Sequence, residues 1–533
     1  MLISPKLLGV AIAATLIASL HASSAQAAGS SPATRAHGLL ESNPSAAHRN
    51  PGDGFAVRDV MVDANGTEHV RMDRTFKGLP MFGGDIVVHS RNGKLRSVTH
   101  SVRSNVRPNL QAKVSADAAL ETAATVFGPG FDQVLILRQV VYARHVAPML
   151  AWEVRLVGSF TTGAPLDMTF FVDASSGKLL LGYSNIQFAG GKERTDSTTT
   201  ASVGAATLGT GRSLHNGSVL VASSATSTGF TLTDPTRGNS VTSNANNAGI
   251  NFVGSKATPF TDADNSWGNG TTRDASTVAV DAHYGAATAW DYYAEIFGRR
   301  GIHNDGAGTV AYVHVQRNWA NAMWHNGAMY LGDGDRTFKP MVSLDIVAHE
   351  MTHGVTQATA GLVYSAESGG LNEATSDIFG TMVEFFGTNP SDPPDYTLGE
   401  TVSMSAPVRY MYKPSLDGKS PDCFSSAVAS MNPHQASGIG NHFFYLLAEG
   451  AVVPSGSSLS AYDLVCNGNT GLRGIGRDAA QKIWYQALTR YMTSSTNYAA
   501  ARVATLQASA DLFGAGSVQQ QAVAAAWSAV SVN

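Results

Sequence analysis

Apolar and polar residues alternate in short runs from about Phe55 to Leu181, with turn residues between the runs. Ile86–Ser90 and Leu95–Val98 flank Asn92-Gly93, a dipeptide that tolerates the left-handed backbone of a tight hairpin. Met168–Val172 and Lys178–Leu181 flank Ala174–Gly177 in the same way. These patterns predict β-hairpins of an α+β module. Between Gly190 and Gly211 lies a Thr/Ser/Gly/Ala stretch with few large apolar side chains, which reads as an exposed linker. Residues 212–333 stay β-leaning and loop-rich. From Met341 onward apolar residues recur at helical spacing, as in Arg477–Met492 and Ala499–Leu512. The last 330 or so residues therefore divide into a β-leaning half and a helical half.

Length and composition narrow the class. A chain of 533 residues, 43% hydrophobic, has room for about three domains with buried cores. The net charge of −4, with no like-charge block, argues against nucleic acid as a partner. Charged residues make up 14%, against a usual share of about 25%, a balance suited to an exported protein kept soluble by neutral polar groups. Lys6, the apolar run Leu7–Leu20 and Ala25-Gln26-Ala27 form a signal-peptide pattern. The run is too short for a permanent span, which needs about 20 apolar residues. Cys423 and Cys466 are close enough in sequence to close one moderate loop in an oxidising compartment, or to remain free thiols.

The chemistry concentrates in His349-Glu350-Met351-Thr352-His353. With 16 His and 40 acidic residues in the chain, such a pentapeptide is expected about 0.04 times by chance. Ile346, Val347, Val355 and Ala358 place it on an amphipathic helix that Gly361 stops. One turn apart, His349 and His353 share a face and can converge on one cation. In Leu371–Asp377, Glu373 and Asp377 fall at i and i+4. Glu373 can supply a third ligand, and Asp377 can hold a histidine from behind.

Together these residues resemble the thermolysin-like zinc metallopeptidases, whose two-histidine, one-glutamate site is a standard example of catalytic zinc. The resemblance runs from about Gly211 to Val530 and includes Asp281–Tyr284, Asn321–Trp324, Gly332–Asp335 and Ser437-Gly438. Residues from about Phe55 to Tyr183 resemble the family's propeptide. The resemblance implies an α+β chain: a signal peptide at 1–27, a propeptide of two α+β modules with linker at 28–200, a β-rich catalytic lobe at 201–345 and a helical lobe at 346–533. It assigns Glu350 as proton carrier, Tyr364 and His434 as oxyanion donors, and Asn372 with Asp377 as supports of the zinc histidines. Asn321 and Ala322 would align the substrate backbone, and Arg409 would hold a substrate carbonyl. Phe338, Met341, Ile346, Leu398 and Val408 match the pocket for the residue after the scissile bond, which predicts cleavage before bulky apolar residues.

The chain departs from that pattern in places. Asn432 stands where a carboxylate commonly supports His434. Asp345, Glu384, Asp395 and Glu400 match calcium ligands, but Thr397 replaces a glutamate and an insertion offers Asp392 as a competitor. Asp262 and Asp264 form a further, weaker calcium candidate. The expected protein is a secreted zinc endopeptidase with Ca²⁺, made as a zymogen that cuts itself within Thr195–Leu208. Its partners would be peptide and protein substrates and its own propeptide, with neither nucleic acid nor stable membrane insertion after signal cleavage. A catalytically silent zinc- and calcium-bound binding protein on the same scaffold is the alternative.

Overall fold

The computed structural model describes residues 30–128, 131–159, 165–186 and 204–533. The signal-like segment and most of the linker lie outside the described residues. The N-terminal region begins with helix α1 (Pro32–Ser42), whose first turn is capped by the Ser31 hydroxyl. Strands β1 (Asp53–Val62), β2 (Thr67–Phe76), β3 (Leu79–Phe82), β4 (Ile86–Arg91) and β5 (Lys94–His100) follow. After helix α2 (Ala116–Phe127) come β6 (Phe131–Tyr142), β7 (Met149–Ser159), β8 (Pro165–Asp173) and β9 (Leu179–Ser184). All nine strands join one sheet, ordered β5-β4-β2-β3-β6-β7-β8-β9, with β1 paired to β2. The two predicted hairpins are β4–β5 and β8–β9, and Asn92 adopts the positive φ that its turn demands. α1 and α2 each cover a different part of this sheet, giving two small cores.

Strand β10 (Ala206–Arg212) opens the next region and pairs with β11 (Ser218–Thr226). The expected linker therefore ends earlier than Gly211. Its last residues alternate between exposed and buried positions and add a strand to a sheet. Strands β12 (Ser240–Asn244), β13 (Val310–Val315), β14 (Ala322–His325) and β15 (Ala328–Gly332) run in the order β12-β13-β15-β14 in a six-stranded sheet whose other two strands are two-residue pieces paired with β12, leaving β14 on its edge. Within this β-leaning stretch runs an unexpected helix, α3 (Ala275–Phe297). Asp274 caps its start and Gly298, at φ 68°, ends it. Its periodicity was hidden because buried residues surround it on most sides.

The helical half contains α4 (Leu344–Ala358), α5 (Ala366–Gly387), α6 (Gly438–Ala448), α7 (Arg477–Gln486), α8 (Tyr498–Phe513) and α9 (Val518–Ala529). One continuous core spans both halves of this region, with α4 inside it. Small residues let the helices approach. A methyl on Gly285 of α3 would sit 2.8 Å from Val347 Cβ of α4, and one on Gly380 of α5 would sit 2.7 Å from the Asp345 carbonyl oxygen. The fold is thus α+β: a β-rich lobe and a helical lobe, preceded by the α+β region that the resemblance reads as a propeptide. Cys423 and Cys466 form a disulfide.

The propeptide grips the helical lobe through buried cations. Arg71 donates to the carbonyls of Met492 and Thr489 at 2.8 and 3.1 Å, and Arg144 donates to Ser365 O and Ser368 Oγ at 3.0 and 2.7 Å. Arg58 reaches Thr359 O, and Asp63 pairs with Arg490. Ile186 packs with Val315, Met323 and Tyr330 of the β-rich lobe, beside edge strand β14.

Candidate active site

One turn apart on α4, His349 and His353 project from the same face, their ring centroids 4.6 Å apart. Nδ1 of His349 donates to Asp377 at 2.9 Å, and Nδ1 of His353 donates to Asn372 at 2.8 Å. These bonds assign the tautomers and leave a lone pair on each Nε2. The two Nε2 atoms face each other at 3.0 Å, and carboxylate oxygens of Glu373 lie 3.5 Å from each. Two opposed lone pairs beside a fully buried carboxylate suit a cation between them. The three ligand atoms lie within 4.8 Å of one another, and the donor set of two imidazoles and a carboxylate is that of a catalytic zinc.

Burial sets the charges around this cluster. It pushes the Glu350 carboxyl up to about 8, and Glu350 Oε2 has no hydrogen-bond partner. Glu373 is equally buried, yet the facing His434, His353, His349 and Arg409 outweigh burial and hold it at about 2. Burial drives His353 down to about 3. Asp377 stays well below the usual carboxylate range because Arg409 and His349 overcome its burial. Arg409 Nε and Nη2 grip Asp377 at 2.8 and 2.6 Å, and Asn441 Nδ2 adds a bond at 2.7 Å. Arg409 thus lies in a buried ion pair behind a zinc-site histidine while also lining the cleft. Asn441 went unnoticed in sequence because an isolated Asn on a helix carries no signal.

Tyr364 Oη donates to Glu373 and stands 3.4 Å from His434 Nε2. His434 Nδ1 donates to Asn432 Oδ1 at 3.0 Å, so an amide occupies the supporting position. Burial lowers the pKa of His434. A cavity of about 300 Å³ beside these groups is lined by Phe338, Met341, Ile346, Leu398 and Val408, together with Asn321, Ala322, Glu350 and Arg409. All the predicted pocket and backbone-aligning residues therefore meet at one cleft. Asp417, Lys419, Ser420 and Gln435 also line it. Lys419 and Ser420 come from an irregular segment, and Asp417 and Gln435 from four-residue helical turns, too short for spacing to announce them.

The expected acidic residues gather in one place, with Asp392 among them. Glu384, Asp392 and Glu400 bring oxygens within 4.8 Å of one another. Asp345 accepts from Ser343 Oγ and the backbone N–H groups of Ile346 and Gly399, and its charge faces Glu384, Asp392 and Glu400. Asp395 Oδ1 accepts two bonds from Thr397. Burial and neighbouring carboxylates push Glu384 up to about 11 and Asp392 up to about 7. Asp262 and Asp264 spend oxygens on backbone N–H groups of their own turn, the Asp264 and Ser266 N–H groups for Asp262 and that of Ser266 for Asp264.

Lobes, cleft and ligand set together define a metal-dependent peptidase. Residues 208–357 match the thermolysin metallopeptidase catalytic domain, residues 360–532 its alpha-helical domain, and residues 53–102 the fungalysin/thermolysin propeptide motif. The chain is 40% identical over 516 residues to a transglutaminase-activating metalloprotease of Streptomyces mobaraensis, covering 94% of this chain and 65% of that protein's length. It is 32% identical over 500 residues to thermolysin of Alicyclobacillus acidocaldarius subsp. acidocaldarius, covering 88% of this chain and 84% of the relative. A solved precursor of protealysin from Serratia proteamaculans is 26% identical, with a TM-score of 0.42 over 56% of this chain and 88% of that one. The chain belongs to the thermolysin metallopeptidase family.

Proposed function

We propose that the protein is a secreted zinc endopeptidase, made as a zymogen that cuts itself, with a preference for bulky apolar residues after the scissile bond. The observation that carries this reading is the convergence of His349 Nε2, His353 Nε2 and Glu373 beside Glu350, whose Oε2 has no hydrogen-bond partner. Zinc bound by those three side chains would polarise the scissile carbonyl and acidify a water molecule. Glu350 takes a proton from the attacking water and delivers it to the leaving nitrogen. Tyr364 and His434 point donors at the developing oxyanion, and Tyr364 leaves Glu373 to do so. Asp377 and Asn372 keep Nδ1 of the two zinc histidines occupied. Asn321 and Ala322 align the substrate backbone at edge strand β14.

Each methylene buried in the apolar pocket is worth about 0.8 kcal/mol, which favours Leu or Phe over Ala there. Calcium is held by Glu384 and Glu400 together with Asp345 and Asp395, Asp392 competing for a place, and its charge would let these carboxylates ionise together. Export is supported by the signal-like N-terminus and by the disulfide. Among the described residues no helix is long and apolar enough to cross a membrane. Of the expected cut range, Ala206–Leu208 belong to β10 and pair with β11, so the cut falls before that strand. The alternative of a silent binding protein is disfavoured by the retained Glu350.

Expression of Glu350→Ala in a protease-deficient host tests the reading. The variant should bind one zinc and accumulate at full length less the signal peptide. The wild type should yield a mature chain beginning between Thr195 and Gly204 and lose peptidase activity to a chelator. Clipping of the variant at the same bond and rate would make maturation the work of another enzyme.

A further inference from the structure

His314 stands outside the zinc cluster, yet the substrate-aligning edge is built on it. It occupies the bulge where the β13–β15 pairing shifts between Tyr312 and Val315, with φ at 57°. Gln316 and Asn318 also take positive φ, 52° and 51°, on the way to Asn321. Three non-glycine residues in this region within five positions store strain that the surroundings must hold. The imidazole supplies part of that hold. Nδ1 lies 2.7 Å from Asp333 Oδ1, and Nε2 lies 3.0 Å from the Ala275 carbonyl at the start of α3. Both partners are acceptors, so only the doubly protonated ring makes both bonds.

Asp333 sits in a turn pressed against the cleft edge. Gly332 N donates to Asn321 O at 3.0 Å, and Gly334 N donates to Trp319 O at 3.2 Å. A methyl on Gly332 would lie 2.0 Å from Trp319 O, so the turn and the edge segment touch backbone to backbone. Gly332 O in turn accepts from Met341 N, on the floor of the apolar pocket. His314 therefore ties the helix that packs on α4 to the turn that sets both the edge and the pocket floor.

We propose that His314, as an imidazolium, is a positioning residue for extended peptide substrates, acting through Asp333 on the Ala320–Ala322 edge. The inference rests on the peptidase reading. Its charged neighbour is Asp333 from the turn. α3 presents the Ala275 carbonyl, and the chain before α3 presents the Phe260 ring at 6.2 Å. Against its burial, the Asp333 pairing raises the His314 pKa above the ordinary value. The double tether is thus complete below that raised pKa and loses one bond as pH climbs through it.

The test compares wild type, His314→Gln and Asp333→Asn, each expressed as the full chain and purified as the processed, zinc-loaded enzyme, on quenched fluorescent peptides of four and eight residues. Both variants should raise KM for the longer peptide about five- to tenfold, with kcat within about twofold and zinc at one per chain. Wild-type KM should rise with pH through the His314 titration, while His314→Gln stays flat at the raised level. Wild-type cleavage in the same assay checks the peptidase reading separately. An unchanged KM in Asp333→Asn overturns the proposal even if His314→Gln folds poorly. So does an equal loss in kcat for both peptide lengths, which would mark a merely structural role.

Discussion

Two pairs of buried histidines, each beside a carboxylate, show what separates a metal site from a structural contact. In the catalytic region, His349 and His353 spend Nδ1 on Asp377 and Asn372, so both Nε2 lone pairs turn inward toward Glu373. In the propeptide, His69 and His89 face each other across β2 and β4, with Nδ1 atoms 2.7 Å apart. Their outer nitrogens are also committed, His69 Nε2 to Asp63 at 2.9 Å and His89 Nε2 to Thr99 Oγ1 at 2.8 Å. If His69 donates to Asp63 and His89 donates to His69, every polar atom in that pair is satisfied with both rings neutral. No lone pair remains for an ion. Instead Tyr491 of the helical lobe stacks on His89 at 4.8 Å, and Arg490 pairs with Asp63. Proximity is common to both pairs; which nitrogen the neighbours have already taken decides the role.

The largest contrast should come from removing one histidine of each pair. His353→Ala should abolish peptidase activity and tight zinc binding together, because two ligands cannot hold catalytic zinc. His89→Gln should leave the mature enzyme with one zinc and its normal kcat/KM, as elemental analysis and peptide assays would show. Zinc loss in His89→Gln would break the comparison. Glu350→Gln comes next: it keeps both histidines and Glu373, so zinc should stay while activity falls about 10²- to 10⁴-fold.

The catalytic pair was legible because i, i+4 spacing on a helix fixes side-chain convergence without further information. Glu373 and Asp377 were legible for the same reason, and the hairpins because Asn92-Gly93 and Ala174–Gly177 carry their own turn chemistry. His69 and His89 carried no signal, since their meeting depends on strand register. α3 was missed because a helix buried on most sides loses its polar stripe. Asp392 was seen only as a competitor, because loop insertions carry no periodicity. Lys419 was invisible for a like reason, lying in an irregular segment.

The propeptide pair should make docking sensitive to acid. Burial, then the neighbouring His69 and Arg71, lowers the His89 pKa well below 6.5, while Asp63 opposes the shift only weakly. A histidine depressed in the folded state contributes stability above its unfolded pKa and loses it as pH falls below about 6.5, by up to about 1.4 kcal/mol per pH unit. After processing, the propeptide should therefore release from the mature chain more readily at pH 5 than at pH 7, as size-exclusion chromatography would read. His89→Gln keeps a donor toward His69 but removes the titration, so its release should vary less with pH. Equal pH dependence in both proteins would assign the effect to other groups.

The smallest effect concerns a third histidine, and it isolates the charge of the supporting partner. His349 leans on the carboxylate of Asp377, and its pKa is raised despite burial. His434 leans on the amide of Asn432, and its pKa is lowered, chiefly by burial and only partly opposed by Glu373. Glu373 Oε2 lies 3.6 Å from His434 Nε2, whereas the bond to Asn432 Oδ1 orients the ring in either protonation state and brings no negative charge to Nδ1. Asn432→Asp supplies that charge with the same shape and should raise the His434 pKa. The imidazolium then persists to higher pH, and the alkaline limb of kcat/KM should move upward by about 0.5–1 pH unit, with little change at the optimum. His434 is one-third exposed at its side chain, so solvent screening keeps the shift to that size. An unmoved alkaline limb would mean that His434 acts as a neutral donor, and the partner's charge would then matter for holding zinc ligands but not for the oxyanion.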